Sequence, residues 1–252
     1  MRTHQQLCLL NLCGAFCAVC SSLSCGFIWY YWRWALNTCD DMKACSCLLY
    51  GTWGFTEFSG GDSMNCSFVT FSPIPLLIWS MLMVMYHGLR HSTVKESQRI
   101  LITNSPTIHR EVMNPQRIPK LFAVCSSIIA ISSAIVIFSS GIVLTDGYFK
   151  TCKEYKKNVV DQLDANGDLA SLVTDRLSCG TVYDFLDYLQ PDPEYIDYRH
   201  KRDGWLINTD LTFKFAIIMT WVTFALYTVL SILYIISSRK PKIPKTFMNT
   251  DL

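Results

Sequence analysis

Four long apolar stretches dominate the hydrophobic pattern of this chain. The clearest, residues 121–144, contains no charged residue. At about 1.5 Å per helical residue it is long enough to cross a hydrocarbon layer of roughly 30 Å. Similar runs occupy residues 7–32, 71–89 and 215–238. Because a helix that is hydrophobic on every side has no polar face to turn towards water, the pattern predicts four transmembrane helices.

The first run has an alternative interpretation as a secretory signal peptide. Cleavage near Ser24 would remove it and leave three spans. However, residues 7–32 are longer than the apolar core of a typical signal peptide, and they end in a Trp/Tyr cluster. Such clusters are typical of a membrane interface. We therefore expect this run to be retained as span one.

The distribution of charges predicts the orientation of the spans. Residues 90–120 carry six Lys/Arg against two Glu, and the basic sequence RKPKIPK follows span four. Short basic segments face the cytosol and contact anionic lipid headgroups. Both termini and the tail 239–252 are therefore expected in the cytosol, with the loops 33–70 and 145–210 outside. The expected location is the plasma membrane or a membrane of the secretory pathway.

Composition narrows the classes of function. The chain is 50% hydrophobic and only 17% charged, with a net charge of +2, so nothing favours nucleic acid as a partner. No histidine pairs with a cysteine at zinc-binding spacing, and phosphate-binding glycine loops and nucleophile turns are missing from the sequence. Within the spans the one ionisable residue is His87, near a boundary. We therefore expect no catalytic residue, metal or cofactor, and a protein that is not an enzyme.

Cysteines in the outer loops predict disulfides. Six of the twelve cysteines lie there: Cys39, Cys45, Cys47, Cys66, Cys152 and Cys179. An even number favours bridges and an oxidising compartment, although six cysteines permit fifteen connectivities. We prefer the pairings Cys47 with Cys66, Cys152 with Cys179, and Cys39 with Cys45.

The first outer loop predicts a β-hairpin. Two short β-prone runs flank the turn Gly60-Gly61-Asp62. Cys47 and Cys66 lie in these two runs, so a bridge between them would tie the hairpin across its turn. Asn65-Cys66-Ser67 is an N-glycosylation sequon and indicates a glycoprotein with this loop outside the cytosol.

Two further motifs suggest binding. Thr250 and Leu252 match the carboxyl-terminal pattern of peptides that add a strand to a PDZ domain. The alternative is a plain tail. Residues Asp164 to Asp175 place oxygen atoms at several ligand positions of an EF-hand loop, but the glycine required at position 6 is Leu169. A solvated turn that caps a helix is the preferred interpretation of this segment.

Short motifs around the spans resemble one known family. They are Cys47-Leu-Leu-Tyr-Gly51, Cys66-Ser-Phe-Val69, Cys152 just after span three, and Ser178-Cys179 before span four. This pattern resembles the transmembrane protein 179 family, including its B form, whose members are small four-span proteins grouped with the claudin-like superfamily. The resemblance covers the order of the spans and four of the six loop cysteines, and it implies a claudin-like bundle.

The chain also departs from that family. It has the additional cysteines Cys39 and Cys45 and a longer second outer loop through Gln190 to Asp203. Where claudins have a Trp and Gly-Leu-Trp pattern before two cysteines, this chain has Tyr50-Gly-Thr-Trp53-Gly. This difference argues against a barrier or pore function.

Together these patterns predict an all-α membrane protein. We expect a left-handed four-helix transmembrane bundle with a small disulfide-tied extracellular β-hairpin packed against the second loop. The expected function is that of a non-catalytic adhesion protein or accessory subunit, which binds other membrane proteins through its outer loops at Trp53 and Phe55. The alternatives are a tetraspanin-like membrane organiser and, with less support, a channel or transporter.

Overall fold

The computed structural model describes residues 2–33, 36, 46–53, 58–104, 118–164, 167–189 and 207–239. Within this part of the chain the protein is mostly helical, with one small antiparallel sheet. The helices and strands, in chain order, are α1 (Arg2–Trp32), β1 (Cys47–Trp53), β2 (Phe58–Gly61), α2 (Ser63–Phe71), α3 (Pro73–Asn104), α4 (Lys120–Gln162), α5 (Asp168–Arg176), α6 (Cys179–Leu189) and α7 (Thr209–Arg239).

Four helical segments are long and apolar enough to cross a membrane. They comprise His4–Trp32, Ser63–Thr93, Lys120–Gln162 and Thr209–Arg239. In lipid a helix satisfies its own backbone donors and acceptors, which is why apolar runs of this length adopt it. The protein is therefore an integral membrane protein by the length and composition of its helices, as the hydrophobic pattern predicted.

The four long helices pack side by side. α1 packs against both α3 and α7, and α7 packs against α4. Small residues allow close approach, since Gly141 on α4 lies against Trp221 of α7. Large apolar side chains on the outer faces stay exposed within the protein, among them Phe16 on α1, Ile78 on α3 and Ile135 on α4. Lipid is the solvent for these faces.

The helices begin and end where capping residues and prolines stand. The Asp62 carboxylate accepts a hydrogen bond from the Met64 amide at 2.8 Å and starts α2. Pro73 has no amide to donate and separates α2 from α3. Asn208 caps α7 by accepting from the Leu211 amide. Spans two and four consequently begin earlier than the apolar pattern suggested, at Ser63 and Thr209.

The predicted turn of the hairpin is wrong. Gly60 and Gly61 do not form a turn but lie in β2, and β1 and β2 are connected through residues 54–57, which are outside the described part. A Cβ at Gly61 would clash with the Leu49 carbonyl oxygen. Glycine stands there because the two strand backbones approach closely, a reason that the sequence does not distinguish from a turn.

Helix α4 extends far beyond the predicted span. It has 43 residues and ends at Gln162, whereas the apolar run ends at residue 144. The second outer loop is therefore largely helical, because α4 continues into it and α5 and α6 follow. We call β1, β2, α5, α6 and residues 145–162 of α4 the cap. The cap lies at one end of the bundle.

Candidate interaction site

The cap is attached to the bundle by a buried strand. Leu48 and Leu49 of β1 are fully buried, and Leu49 contacts α4 at Gly147, where a Cβ would lie only 2.9 Å from the Leu49 side chain. Thr151 of α4 donates to the Leu48 carbonyl at 2.9 Å and accepts from the Gly51 amide at 3.0 Å. One threonine hydroxyl therefore binds two backbone groups of β1 and joins the strand to α4.

The strand bends at Tyr50 in order to follow α4. Tyr50 has a φ of 60°, a conformation that is uncommon for residues with a side chain. The pairing with β2 is irregular between Cys47 and Thr52, as expected of a bulge. The ring lies 5.3 Å from the Lys150 ammonium group, while partial burial and a hydrogen bond with Asp146 raise the pKa of Tyr50 to about 12.

One disulfide links the cap to a membrane-spanning segment, and a second lies within the cap. Cys47 is bonded to Cys66, and Cys152 is bonded to Cys179. Two of the three pairings preferred from the sequence are therefore present in the structure, and the third, Cys39 with Cys45, lies outside the described residues. The first does not cross a hairpin, however, because Cys66 lies in α2 and not in a strand. It joins the start of the sheet to a membrane-spanning segment, whereas the second joins α4 to the first residue of α6.

A cluster of tyrosines fills the space between α4, α6 and α7. The rings of Tyr148 and Tyr183 are stacked with centroids 4.9 Å apart, and Phe213 lies within 6 Å of both. Tyr148 donates to the Asp210 carboxylate at 2.6 Å, and Tyr183 donates to the Tyr148 carbonyl at 2.9 Å. Burial raises the pKa of Tyr183, so it remains a hydrogen-bond donor.

Asp187 joins three elements at the start of α7. Its two carboxylate oxygens accept from the amide and the hydroxyl of Thr209, and that hydroxyl accepts from the Trp32 indole of α1 at 3.0 Å. The position matches the preference of a helix N-terminus for negative charge. Burial nevertheless raises the pKa of Asp187 to about 6, an effect that the hydrogen bonds with Thr209 only partly offset.

We expect Asp187 to make stability depend on pH. Its pKa in the folded protein is above the usual value of 3.8, so the folded state binds this proton more tightly than the unfolded state. Its contribution to the free energy of unfolding is largest below about pH 4, falls as the pH rises to about 6, and is constant above that. In detergent micelles, the melting temperature of the wild type relative to Asp187→Asn should therefore decrease between pH 4 and pH 6.

The control for this measurement is Asp161→Asn. Asp161 is exposed in the last turn of α4 and is not among the charges that raise the pKa of Asp187, so its replacement should leave the pH dependence unchanged. If the difference in melting temperature between the wild type and Asp187→Asn is the same at pH 4 and at pH 6.5, Asp187 does not have a raised pKa in the folded protein.

Several residues predicted to bind or to be modified lie outside the described residues. These are Phe55, Thr250, Leu252, Cys39 and Cys45, together with the side chain of Trp53. The backbone of Trp53 ends β1. Asn65 is half-buried in the first turn of α2. Glycosylation of Asn65, the Cys39 to Cys45 bridge and PDZ binding stay predictions.

The part of the chain that the structure describes has no group of three or more His, Cys, Asp or Glu side chains that would hold a metal ion. The EF-hand-like segment between Asp164 and Asp175 is interrupted, because α5 begins at Asp168. A calcium loop holds its ligands on a non-helical backbone. The geometry of this segment is therefore that of a turn followed by a helix.

A polar network at the end of the bundle opposite the cap was not recognised in the sequence. His87 lies between His4, with 3.0 Å between their Nδ1 atoms, and the Tyr234 hydroxyl at 3.1 Å. Two helical turns closer to the cap, Ser80 donates to the Tyr227 hydroxyl at 2.7 Å, and Tyr227 donates to the Leu76 carbonyl. All of these residues are buried.

A sequence signal for this network exists. Each of three spans places two polar residues seven positions apart: His4 and Asn11 in α1, Ser80 and His87 in α3, and Tyr227 and Tyr234 in α7. A spacing of seven returns to the same face of a helix. The signal was missed because serine and tyrosine are common on apolar helices and His4 precedes the first apolar run.

The network connects α1, α3 and α7 through side-chain hydrogen bonds, and such bonds between membrane helices contribute about 0.6 kcal/mol each. Its chemistry is therefore first of all structural. Comparisons with known proteins add no assignment, since no family model, curated protein or solved structure matches this chain.

Proposed function

We propose that this protein is a non-catalytic membrane protein that binds other membrane proteins through its cap, as an adhesion protein or an accessory subunit. One observation supports this proposal above the others: the cap is packed on a buried core that it shares with α1, α2 and α7. Cys47, Leu48, Leu49 and Tyr183 are completely buried. A surface that is already ordered loses less conformational entropy when a partner binds.

Disulfides favour placing the cap outside the cytosol. Both bonded pairs have at least one cysteine in the cap, and structural disulfides persist in oxidising compartments. The basic segments 90–120 and 240–245 then lie on the cytosolic side, in agreement with the positive-inside rule. This orientation leaves both termini in the cytosol, where Thr250 and Leu252 are accessible to a PDZ domain. The protein resides in the plasma membrane or the secretory pathway.

The arrangement also supports, as a proposal, membership of a claudin-like group. A small sheet joined by a disulfide to a four-span protein is what the resemblance to the transmembrane protein 179 family implies. Within this proposal the sheet serves as a recognition surface and not as the wall of a pore, because the described spans bury most of their polar side chains in hydrogen bonds.

A second candidate function is proton transport, which one observation favours. Ionisable residues inside a membrane span often mark transport pathways, and His87 is fully buried there. Against this function, Leu76, Ala134 and Ile137 pack with the ring of Tyr227 in a hydrophobic cluster inside the bundle. Under the proposal above, proteoliposomes containing the full chain show no proton flux beyond that of empty vesicles.

The proposed function is tested by measuring partners of cap variants in native membranes. We expect Trp53→Ala and Phe55→Ala to reduce the recovery of crosslinked membrane proteins at least about fivefold, roughly the 1 kcal/mol that an interface residue contributes. Phe16→Ala is the matched control, because Phe16 is an aromatic residue exposed on the lipid-facing side of α1. Recovery of the same partners by wild type and both cap variants would refute the proposal.

A further inference from the structure

Three exposed leucines of the cap lie where lipid does not reach. Leu163 follows α4, and Leu169 and Leu172 belong to α5, with exposed fractions of 59%, 55% and 57%. Nineteen residues separate Leu144, the last residue of the apolar run, from Leu163. At about 1.5 Å per residue this distance is roughly 28 Å along α4. Lipid therefore accounts for the exposed apolar side chains of the spans but not for these three.

The leucines are also not part of the core of the cap. α5 is exposed along most of its length, and Ala170 is its one half-buried residue among those whose side chains are described. Its position is held by the Cys152–Cys179 disulfide and by the Lys156 ammonium group, which donates to the Thr174 carbonyl at 3.3 Å. Leu169 and Leu172 are three positions apart and so lie on one side of the helix.

Acidic residues lie close in sequence to these leucines. Asp161, Asp164, Asp168 and Asp175 are all exposed, and the sequence contains no Lys or Arg between Lys157 and Arg176. Asp168 in the first turn of α5 is explained by the helix dipole. Asp161 in the last turn of α4 and Asp175 in the last turn of α5 are not, because the negative end of a helix disfavours a carboxylate. The helix dipole therefore does not explain these two carboxylates.

We infer that Leu163, Leu169 and Leu172, with Asp164, Asp168 and Asp175, form a docking surface for a basic, apolar segment in the ectodomain of another membrane protein. We call this surface the tip patch. The inference rests on the proposed function and specifies one surface of the cap and the chemistry of its partner. Lysine or arginine side chains of the partner pair with the carboxylates while its apolar side chains cover the leucines.

Charge decides among the possible occupants. A second copy of the chain would bring an identical acidic surface, so contact between two tip patches is repulsive. An opposing membrane with anionic headgroups is repelled in the same way. An apolar partner without positive charge would bring no counter-charge to the three carboxylates of the tip patch. A basic segment is the occupant that satisfies both the leucines and the aspartates.

Site-specific photo-crosslinking in native membranes tests the inference. A photoreactive amino acid replaces Ser171, which is exposed on α5 between the two leucines, and the crosslinked peptide is identified by mass spectrometry. The expected product is an ectodomain segment with net positive charge from another membrane protein. Its yield should fall at least about fivefold in Leu169→Ser/Leu172→Ser, and also in Asp164→Asn/Asp175→Asn or when salt is raised from about 0.05 to about 0.5 M.

The control is Leu211→Ser, which removes a leucine of similar exposure, 64%, at the start of α7. This variant should leave the yield unchanged, and all variants should melt at the temperature of the wild type. A product formed only with lipid, with a second copy or with an acidic segment overturns the inference, as does no product or a yield that the leucine variant does not change.

The outcome is separable from that of the proposed function. If Trp53→Ala and Phe55→Ala lose partners while the tip variants keep them, the proposed function stands and the tip patch is refuted. If every cap variant, including those of the tip patch, retains the partners of the wild type, the proposed function itself is refuted.

Discussion

Replacing Cys47 and Cys66 together by alanine is expected to lower the free energy of unfolding by about 3 kcal/mol. The bond closes a segment with a sequence separation of 19 residues, and the loop-entropy model assigns about that value to such a closure. Both cysteines are also buried, with exposed fractions of 0% and 4%, so truncation adds the loss of packing in the core that the cap shares with the spans. Thermal melting in detergent, followed by tryptophan fluorescence, measures the effect.

The matched control is Cys13→Ala. Cys13 is a free cysteine on an exposed position of α1, and its replacement should leave the melting curve unchanged. The disulfide variant should also become sensitive to protease between β1 and α2 under conditions where the wild type is resistant. Equal melting temperatures for the wild type and the Cys47/Cys66 variant would show that the sheet is held without the bond.

Replacing Tyr183 by alanine is expected to destabilise the protein by about 3–5 kcal/mol, the range found for large aromatic residues removed from a core. Its side chain is completely buried, stacks on Tyr148 and contacts Phe213. Tyr183→Phe keeps the ring and removes the hydroxyl, which donates to the Tyr148 carbonyl at 2.9 Å. This smaller change should cost about 1 kcal/mol.

Phe185→Ala is the control for this series, because Phe185 lies two residues away on α6 and is 48% exposed. The free energy of unfolding, measured at equilibrium in a denaturing detergent, should therefore be much lower for Tyr183→Ala than for Tyr183→Phe. The value for Phe185→Ala should be close to that of the wild type. If Phe185→Ala is as damaging as Tyr183→Ala, α6 does not pack against α4 and α7 as described.

The spans were predictable because each is a property of a local stretch of sequence. Residues 121–144 carry no charge, and the helix found there includes all of them. The ends of the helices were less predictable from the sequence. Whether α4 ends at residue 144 or continues to Gln162 depends on which contacts stabilise the helix beyond the bilayer. Here β1 packs against this part of α4, and the Cys152–Cys179 bond joins it to α6.

The cap was predictable in its covalent links and not in its shape. The positions of Cys47, Cys66, Cys152 and Cys179 in loops were sufficient to prefer the pairings that the structure contains. The turn was placed incorrectly at Gly60 and Gly61, because a glycine required for close backbone approach has the same appearance in sequence as a glycine required for a turn.

The buried polar groups were the least predictable part of the protein. Asp187 had no distinguishing context in the sequence, yet it receives both hydrogen bonds from Thr209 across 22 positions and joins α6 to α7. The His4, His87 and Tyr234 contacts join residues 83 and 147 positions apart. A seven-residue spacing indicates that two residues lie on the same face of a helix. It does not indicate which neighbouring helix packs against that face.

By itself the sequence determined which solvent surrounds each segment, because apolar runs of this length can satisfy their backbone in lipid only as helices. Only the tertiary structure decided that β1 is buried against the upper part of α4 and that the tip of α5 exposes leucines among carboxylates. These features arise from contacts such as that between Leu48 and Thr151, 103 positions apart. Periodicity describes the faces of one segment, whereas the choice of partner follows from the packing free energy of the whole fold.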